Sequence, residues 1–150
     1  MIWGIDLGVR SLYVAGIDRP FGHLFLLSSF SKRGDRYQEI WEALKSTKDF
    51  HYSDTVYIEE PPMAGSRNVR TFLQLGEMAG AVMARCPCPV YLVPVDSWKK
   101  STVGKGGVNK ETVALWLKTT HEDYASQCGG DQNLIDATCI ALHGSAVLQH

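Results

Sequence analysis

Three short apolar runs, separated by turn-forming residues, open the chain. They extend from Ile2 to Leu7, from Leu12 to Ile17 and from His23 to Ser29, and Gly-Val-Arg-Ser and Asp-Arg-Pro-Phe-Gly lie between them. Glycine, proline, aspartate and serine in such segments form tight turns, and β-prone runs joined by tight turns pair in antiparallel fashion. The pattern predicts a three-stranded antiparallel meander.

A helical pattern and a fourth strand follow the meander. Apolar side chains between Tyr37 and Leu44 recur at helical intervals with charges between them, which predicts an amphipathic helix from Asp35 to about Lys48. The run from Thr55 to Ile58 is β-branched and aromatic, and Pro61-Pro62 stops it. Because a helix precedes this run, we expect a strand parallel to the first.

The next segment predicts a helix, a strand and a loop. Apolar residues from Val69 to Met83 recur at helical spacing, and a strand from Val90 to Val95 follows a Cys-Pro-Cys-Pro break. The stretch from residue 98 to 108 is rich in lysine and glycine. We expect this stretch to form a substrate-facing loop.

Two further helices complete the predicted elements. Asn109 is a suitable N-cap for a helix that runs to about Leu117, and Gly129-Gly130-Asp131 separates it from a last helix over about Gln132 to Leu148. Strands and helices in this order predict an α/β fold with a mixed five-stranded sheet, three strands antiparallel and then parallel strands, flanked by helices.

The length of the chain predicts its domain organisation, whereas its net charge says little about its binding partners. At 150 residues the chain has the size of one compact domain, so a single domain over residues 1–150 is expected. The net charge of −1 conceals a local basic strip, in which Glu111 is the only acid. The lysines of this strip are Lys99, Lys100, Lys105, Lys110 and Lys118.

The four cysteines do not indicate a disulfide framework, because a chain of this length and apolar content does not need one. Cys86-Pro-Cys88 could begin a zinc site with His121 or Cys128, but no second close ligand pair follows, so structural thiols are favoured. No stretch reaches membrane-spanning length, and the N-terminus lacks the pattern of a signal peptide. We expect a reduced, intracellular (cytoplasmic) protein that makes no contact with membranes.

Three acids in apolar segments are the candidate chemistry. Asp6 lies in the first strand, Glu59 ends the fourth, and Asp136 lies in the last helix. A turn cap, a solvated strand end or a single salt bridge explains any one of them alone, but three buried acids favour a shared cause. Acids on adjacent strands lie close together, and hard oxygen ligands favour Mg²⁺ or Mn²⁺ over zinc. The three acids therefore predict a divalent-cation site.

Two residues compete to complete this site. Asn133 shares a helix face with Asp136, whereas Asp131 lies roughly 140° away around the axis. Asp131 could nevertheless precede the first turn, where the chain after Gly129-Gly130 can direct its carboxylate toward the metal. Both alternatives stay open.

Five ordered segments of the chain resemble the RuvC-type Holliday junction resolvases of the RNase H-like superfamily. The first two segments contain Asp6 and Glu59, the third is the glycine-containing helix, the fourth is the lysine strip, and the fifth contains Asp136. They are Gly4-Ile-Asp-Leu-Gly-Val-Arg10, Ile58-Glu59, Leu75-Gly-Glu-Met-Ala-Gly80, Trp98-Lys-Lys-Ser-Thr-Val-Gly-Lys-Gly107 with Asn109-Lys110, and Ile135-Asp-Ala-Thr-Cys-Ile-Ala-Leu142.

The resemblance implies an RNase H-like fold, a Mg²⁺-dependent endonuclease for which Mn²⁺ can substitute, and two-metal hydrolysis of four-way (Holliday) junctions and related branched DNA. It makes Asp6, Glu59 and Asp136 catalytic metal ligands, and it brings Lys99 and Lys110 nearest the scissile phosphate. It also implies a homodimer, since symmetric cutting needs two active sites, and no nucleotide cofactor. The expected DNA-binding residues are Lys99, Lys100, Lys105, Lys110, Arg67 and Arg70.

One departure from the family pattern leaves other functions open. The family usually has a further acid where this chain has Asn133, which offers a carbonyl oxygen without a charge. Other RNase H-like nucleases, acting on flaps, branched DNA or RNA-containing duplexes, would share the three acids, and a non-catalytic junction-binding protein is also compatible with Asn133. An actin-like ATPase fragment would need a second domain, for which 150 residues leave no room. An intracellular enzyme of the nucleoid or of a phage-infected cell is expected.

Overall fold

A five-stranded mixed sheet forms the centre of the computed structural model, which describes residues 1–30, 50–61 and 69–148. The sheet order is β3-β2-β1-β4-β5, with β1, β2 and β3 antiparallel and β1, β4 and β5 parallel. This confirms the predicted meander and the predicted parallel strand. The strands are β1 (Ile2–Leu7), β2 (Ser11–Ile17), β3 (Leu24–Phe30), β4 (Thr55–Glu59) and β5 (Val90–Val93).

Five helices belong to the described part of the chain, and the helix predicted over residues 35–48 lies outside it. The predicted N-cap of the third helix is confirmed, because the Asn109 side chain accepts a hydrogen bond from the Thr112 amide at 2.9 Å. The helices are α1 (Val69–Arg85), α2 (Val95–Thr102), α3 (Lys110–Thr120), α4 (Glu122–Cys128) and α5 (Gln132–Val147).

The segment between β5 and α3 corrects two predictions. The strand expected to reach Val95 ends at Val93, because Pro94 is the N-cap of α2. The expected loop over residues 98–108 begins instead after Thr102, since Trp98 is a buried residue of α2. Only the glycine-rich part that follows is a loop. The short helix α4 was not predicted, because its seven residues are too few to show a periodic pattern.

Side-chain alternation along the strands separates two layers of core. Trp3 and Ile5 of β1 pack with Met78 and Val82 of α1 on one face of the sheet. Ile2 packs on the other face, in a cluster formed with residues of α2, α3, α4 and α5. Because neighbouring strand residues point to opposite faces, Asp6 lies on the same face as Ile2, under α5.

A glycine in β1 allows α5 to cross the sheet at close range. A Cβ atom at Gly4 would collide with the Ala137 carbonyl oxygen and the Ala141 amide nitrogen, and it would lie 3.1 Å from the Ala141 Cα. Any side chain at this position would therefore hold the helix away from the strand. Gly4 lies two residues before Asp6, so this close approach also sets the distance from α5 to the acids at the strand ends.

The opposite end of the sheet holds a buried carboxylate with a full set of partners. Asp54 accepts hydrogen bonds from the Trp3 indole, the His51 amide and the N-terminal ammonium of Met1, each at 3.0 Å. Burial alone would raise the pKa of Asp54, but these three donors lower it below its ordinary value. Asp54 thus shows what a satisfied buried acid looks like in this protein.

All four cysteines are free thiols, and Cys88, Cys128 and Cys139 are buried. Among the described residues, no helix combines the length and apolar character needed to cross a membrane.

Candidate active site

The carboxyl ends of two adjacent parallel strands bring Asp6 and Glu59 together. The register of β1 and β4 pairs Ile5 with Ile58, so the next residues along the two strands are these two acids. Both side chains are partly buried. The parallel pairing predicted from the sequence therefore produces the predicted pair of acids.

Helix α5 adds the third acid to the same place. Asp136 lies in its second turn and is partly buried, next to the residues that pack closely on Gly4. Gln132, one turn earlier, donates a hydrogen bond from Nε2 to Asp136 Oδ1 at 2.9 Å. This bond holds one oxygen of the carboxylate.

The charges of neighbouring acids act on Asp6 and on Glu59. Burial, followed by the charges of Glu59 and Asp136, raises the pKa of Asp6 to about 8, although Lys110 opposes the rise and Asp131 adds to it. Burial also raises the pKa of Glu59 and of Asp136, and Lys110 opposes both rises. Among the described residues, Lys110 at the start of α3 thus acts on all three carboxylates.

Asp6 differs from Asp54 in having no hydrogen-bond donor among the residues that the structure describes. In residues 1–30, 50–61 and 69–148 its carboxylate makes no hydrogen bond and no ion pair within 4 Å. A partly buried carboxylate without such a partner is unfavourable, and a bound cation would favour its ionised form. The hard oxygens of the three acids fit Mg²⁺ or Mn²⁺.

The acids of the described residues do not by themselves supply a complete set of metal ligands. No group of three or more His, Cys, Asp or Glu side chains in the described part of the chain is arranged to hold a metal ion. Cations of this class commonly keep several water and phosphate ligands, so a protein site with few ligands is compatible with them. The described residues likewise offer no zinc site at Cys86 and Cys88.

The two candidates for a fourth ligand have different surroundings. Asp131 is the N-cap of α5, and its Oδ1 accepts hydrogen bonds from the Asn133 and Leu134 amides at 3.0 and 3.3 Å. Its charge also contributes to the raised pKa of Asp6, so it lies near the site. Asn133 is partly buried in the first turn of the same helix. The choice between them stays a prediction.

The predicted DNA-binding residues have several environments. Lys99 Nζ donates to the Val108 carbonyl at 3.0 Å, which ties α2 to the following loop. Lys100, Lys105 and Lys110 are exposed, as is Arg70 on α1, whereas Arg67 lies outside the described residues.

Two glycines and one hydrogen bond define the conformation of the loop between α2 and α3. Gly104 and Gly107 have φ angles of 90° and 67°, which side chains with a Cβ rarely adopt. Asp96 Oδ1 accepts a hydrogen bond from the Gly107 amide at 3.0 Å, so the loop is held against the start of α2. Lys105 is an exposed residue of this loop.

Sequence reasoning missed two partners of the acids. Trp98 Nε1 donates a hydrogen bond to Glu59 Oε2 at 2.8 Å, and Gln132 bonds Asp136. The spacing of four residues between Gln132 and Asp136 is a signal that could have predicted their contact. No local pattern could have predicted the contact of Trp98 with Glu59, because 39 residues separate them.

Comparison with known proteins decides the family. The chain is 32% identical over 123 residues to the crossover junction endodeoxyribonuclease RuvC of Nitratidesulfovibrio vulgaris, covering 77% of this chain and 67% of that protein. The chain belongs to the RuvC family. A comparison with family models gives no match.

Solved structures of RuvC-type and viral resolvases share the fold. Thermus thermophilus RuvC in complex with a Holliday junction substrate is 21% identical with a TM-score of 0.65, covering 99% of this chain and 94% of that one. Fowlpox virus resolvase in complex with Holliday junction DNA is 11% identical with a TM-score of 0.58, covering 99% of both chains. These similarities confirm the RNase H-like fold expected for a RuvC-family chain.

Proposed function

We propose that this chain is a structure-selective DNA endonuclease, a single domain over residues 1–150 that resolves four-way junctions by metal-dependent phosphodiester hydrolysis. The observation that carries the proposal is the convergence of Asp6, Glu59 and Asp136, whose pKa values are all raised, with Lys110 acting on all three. Perturbed acids that meet in this way are typical of functional sites. Membership of the RuvC family supports junction DNA as the substrate, and the enzyme would work inside the cell, in association with the nucleoid.

The metal would be held by the three acids, with Asp131 or Asn133 as a further ligand. Mg²⁺ is the proposed natural cofactor and Mn²⁺ a substitute, because the available ligands are hard oxygens. A pair of such ions, when bound, supplies an activated water and stabilises the leaving 3′ oxygen, and hydrolysis would leave 5′ phosphate ends.

The lysines would bind and orient the DNA backbone. Lys110 would offset the charge of the scissile phosphate where three carboxylates already concentrate negative charge. Lys99, Lys100 and Lys105, with Arg67 and Arg70, would contact neighbouring phosphates. Binding that depends on such contacts weakens steeply as the salt concentration rises.

A second copy of the chain would pack on the outer side of α1. Val69, Leu73 and Met83 are 69%, 58% and 42% exposed, and Gly76 and Gly80 lie between them with nothing near their missing Cβ positions. Spacings of four, three, four and three residues keep these five residues within an arc of about 80°. The stripe lies on the opposite side of the helix from Met78 and Val82, which face the sheet. An apolar stripe of this period with small residues suits close packing of two helices, and a homodimer would supply two active sites for symmetric cutting.

Substitution of the acids tests the proposed activity. Asp6→Asn and Glu59→Gln keep side-chain size and remove the charge, so each should abolish cleavage of a labelled four-way junction in Mg²⁺. Asp54→Asn is the matched control, because it neutralises a buried acid at the other end of the sheet and should retain cleavage once the protein is shown to be folded. Cleavage that survives either substitution at the strand ends would contradict the proposed mechanism.

Competing substrates test the alternatives. Flaps, replication forks and RNA-containing duplexes, offered at the same concentration, should be cut more slowly than the four-way junction. A faster reaction on one of them would assign the chain to another kind of RNase H-like nuclease. Tight junction binding without turnover in Mg²⁺ or Mn²⁺ would make it a binding protein.

A further inference from the structure

The indole of Trp98 is fully buried beside the candidate site. Its relative exposure is 0%, and its N–H donates to Glu59 Oε2 at 2.8 Å. A buried indole needs an acceptor for its single N–H group, and a carboxylate is the strongest acceptor a protein offers. The distance lies in the range of hydrogen bonds to charged groups. The bond therefore holds one oxygen of Glu59 in a defined direction.

The other oxygen of Glu59 is left for another ligand. Oε1 accepts no hydrogen bond from the residues that the structure describes. The neighbouring Asp6 likewise has no hydrogen-bond donor among them. One fixed oxygen and one available oxygen are what an oriented monodentate metal ligand requires, and partners that hold metal ligands in this way strongly affect metal affinity.

Trp98 also links Glu59 to the lysine-rich loop. The ammonium of Lys99 lies 5.6 Å from the centroid of the Trp98 ring and donates to the Val108 carbonyl. Thr102 Oγ1 donates to the Trp98 carbonyl at 2.7 Å, within the same helix. Helix α2, which supplies the hydrogen bond from Trp98 to Glu59, thus also contains the start of the proposed DNA-binding segment. A change in the position of α2 would therefore affect both the orientation of Glu59 and the position of that segment.

A hydrogen bond of the same kind occurs at the opposite end of the sheet, away from the candidate site. Trp3 Nε1 donates to Asp54 Oδ2 at 3.0 Å, and both residues are buried. Asp54 is satisfied by three donors and lies far along β1 and β4 from the acids at their carboxyl ends. This indole and carboxylate pair is an internal control for the pair formed by Trp98 and Glu59.

We infer that Trp98 is a positioning residue for Glu59: its indole N–H fixes Oε2 and so directs Oε1 toward a divalent cation. The inference rests on the proposed nuclease site. Trp98 itself touches neither the cation nor the DNA in this role. Its effect is transmitted through the orientation of one carboxylate.

Removal of the indole N–H tests the inference. Trp98→Phe keeps an aromatic ring and removes the donor, so the Kd for Mn²⁺, measured by electron paramagnetic resonance without DNA, should rise by roughly 10–100-fold. Cleavage by this variant should be slow at limiting Mg²⁺ and recover as Mg²⁺ is raised, with an unchanged KM for the junction. Trp3→Phe should lower the melting temperature as Trp98→Phe does and leave the Kd for Mn²⁺ unchanged.

Wild-type protein provides a measurement that does not depend on a variant. The ¹⁵N–¹H resonance of the Trp98 indole should shift as Mg²⁺ is added without DNA, because its acceptor becomes a metal ligand. The resonance of the Trp3 indole should stay in place. A Trp98 resonance that does not move while Mg²⁺ binds would overturn the inference.

The remaining outcomes separate this inference from the proposed function. An unchanged Kd for Mn²⁺ in Trp98→Phe, or an equal rise in Trp3→Phe, would overturn the positioning role. In combination with Glu59→Gln, Trp98→Phe should weaken Mn²⁺ binding no further, and additive losses would also count against it. A wild-type protein that binds Mn²⁺ in a Trp98-dependent way without cutting any DNA would refute the nuclease function alone. Failure to bind Mn²⁺ at all would refute both.

Discussion

Replacing Gly4 with alanine perturbs the contact that brings the third acid to the other two. A Cβ at this position would collide with backbone atoms of Ala137 and Ala141, which cannot rotate away as side chains can. Ordinary van der Waals contact begins at 3.4 Å, so α5 has to move away from β1 by roughly 1 Å to admit the methyl group. Asp136 precedes Ala137 in that helix and would move with it.

The expected magnitudes follow from this displacement. Forcing an extra methyl group into a packed core costs about 1–3 kcal/mol, against which alanine gains roughly 0.4–1 kcal/mol by restricting the unfolded chain. For a domain of this size each kcal/mol changes the melting temperature by about 2–4 °C, so Gly4→Ala should lower it by a few degrees. A misplacement of about 1 Å at a catalytic group can lower the rate by roughly 10²-fold. We therefore expect a loss of cleavage much larger than the loss of stability.

Gly144→Ala is the matched control on the same helix. A Cβ there would meet the side chains of Tyr57 and Ile2 instead of backbone atoms, and Gly144 lies eight residues along α5 from Asp136. Melting temperatures by circular dichroism and cleavage of a labelled junction at saturating Mg²⁺ should be compared for both variants at a temperature where both are folded. If Gly4→Ala cuts as fast as wild type, or if both variants lose activity equally, the close approach at Gly4 does not set the geometry of the acids.

Three further predictions concern other parts of the molecule. Because the pKa of Asp54 is lowered on folding, its carboxylate stabilises the protein above the ordinary aspartate pKa, and this contribution is lost as the pH falls through the pKa of the folded state. The free energies of unfolding in urea of wild type and Asp54→Asn should therefore converge below about pH 4. A difference that stays constant with pH would contradict this. Leu73→Glu should convert a dimer to a monomer in sedimentation equilibrium while its circular dichroism spectrum stays that of the folded protein, whereas Leu115→Glu, which changes an exposed leucine of α3, should leave the dimer intact. Lys110→Ala should lower kcat for the junction by roughly 10²-fold. Lys118→Ala, at the exposed end of the same helix, should change kcat little. Equal kcat values for the two variants would show that Lys110 does not act in the site.

The strands show how far local pattern carries a prediction. Turn residues and short apolar runs predicted β1, β2 and β3 to within a residue or two, and the helix pattern predicted α1 and α5 nearly as well. Local pattern failed between Pro94 and Val108, where lysine and glycine suggested a loop and burial of Trp98 instead favours a helical turn. Composition describes the solvent-facing side of such a segment, whereas its conformation depends on what the buried side contacts.

The sequence by itself determined which residues could form the site. Strand alternation and helix spacing are local properties, so they identified three acids in apolar segments and the lysines near them before any contact was known. Only the tertiary structure decided how each acid is held, because those partners come from distant parts of the chain. It tied Glu59 to Trp98 across 39 residues, joined Asp136 to the strand ends through the close approach at Gly4, and left Asp6 without a protein donor among the described residues.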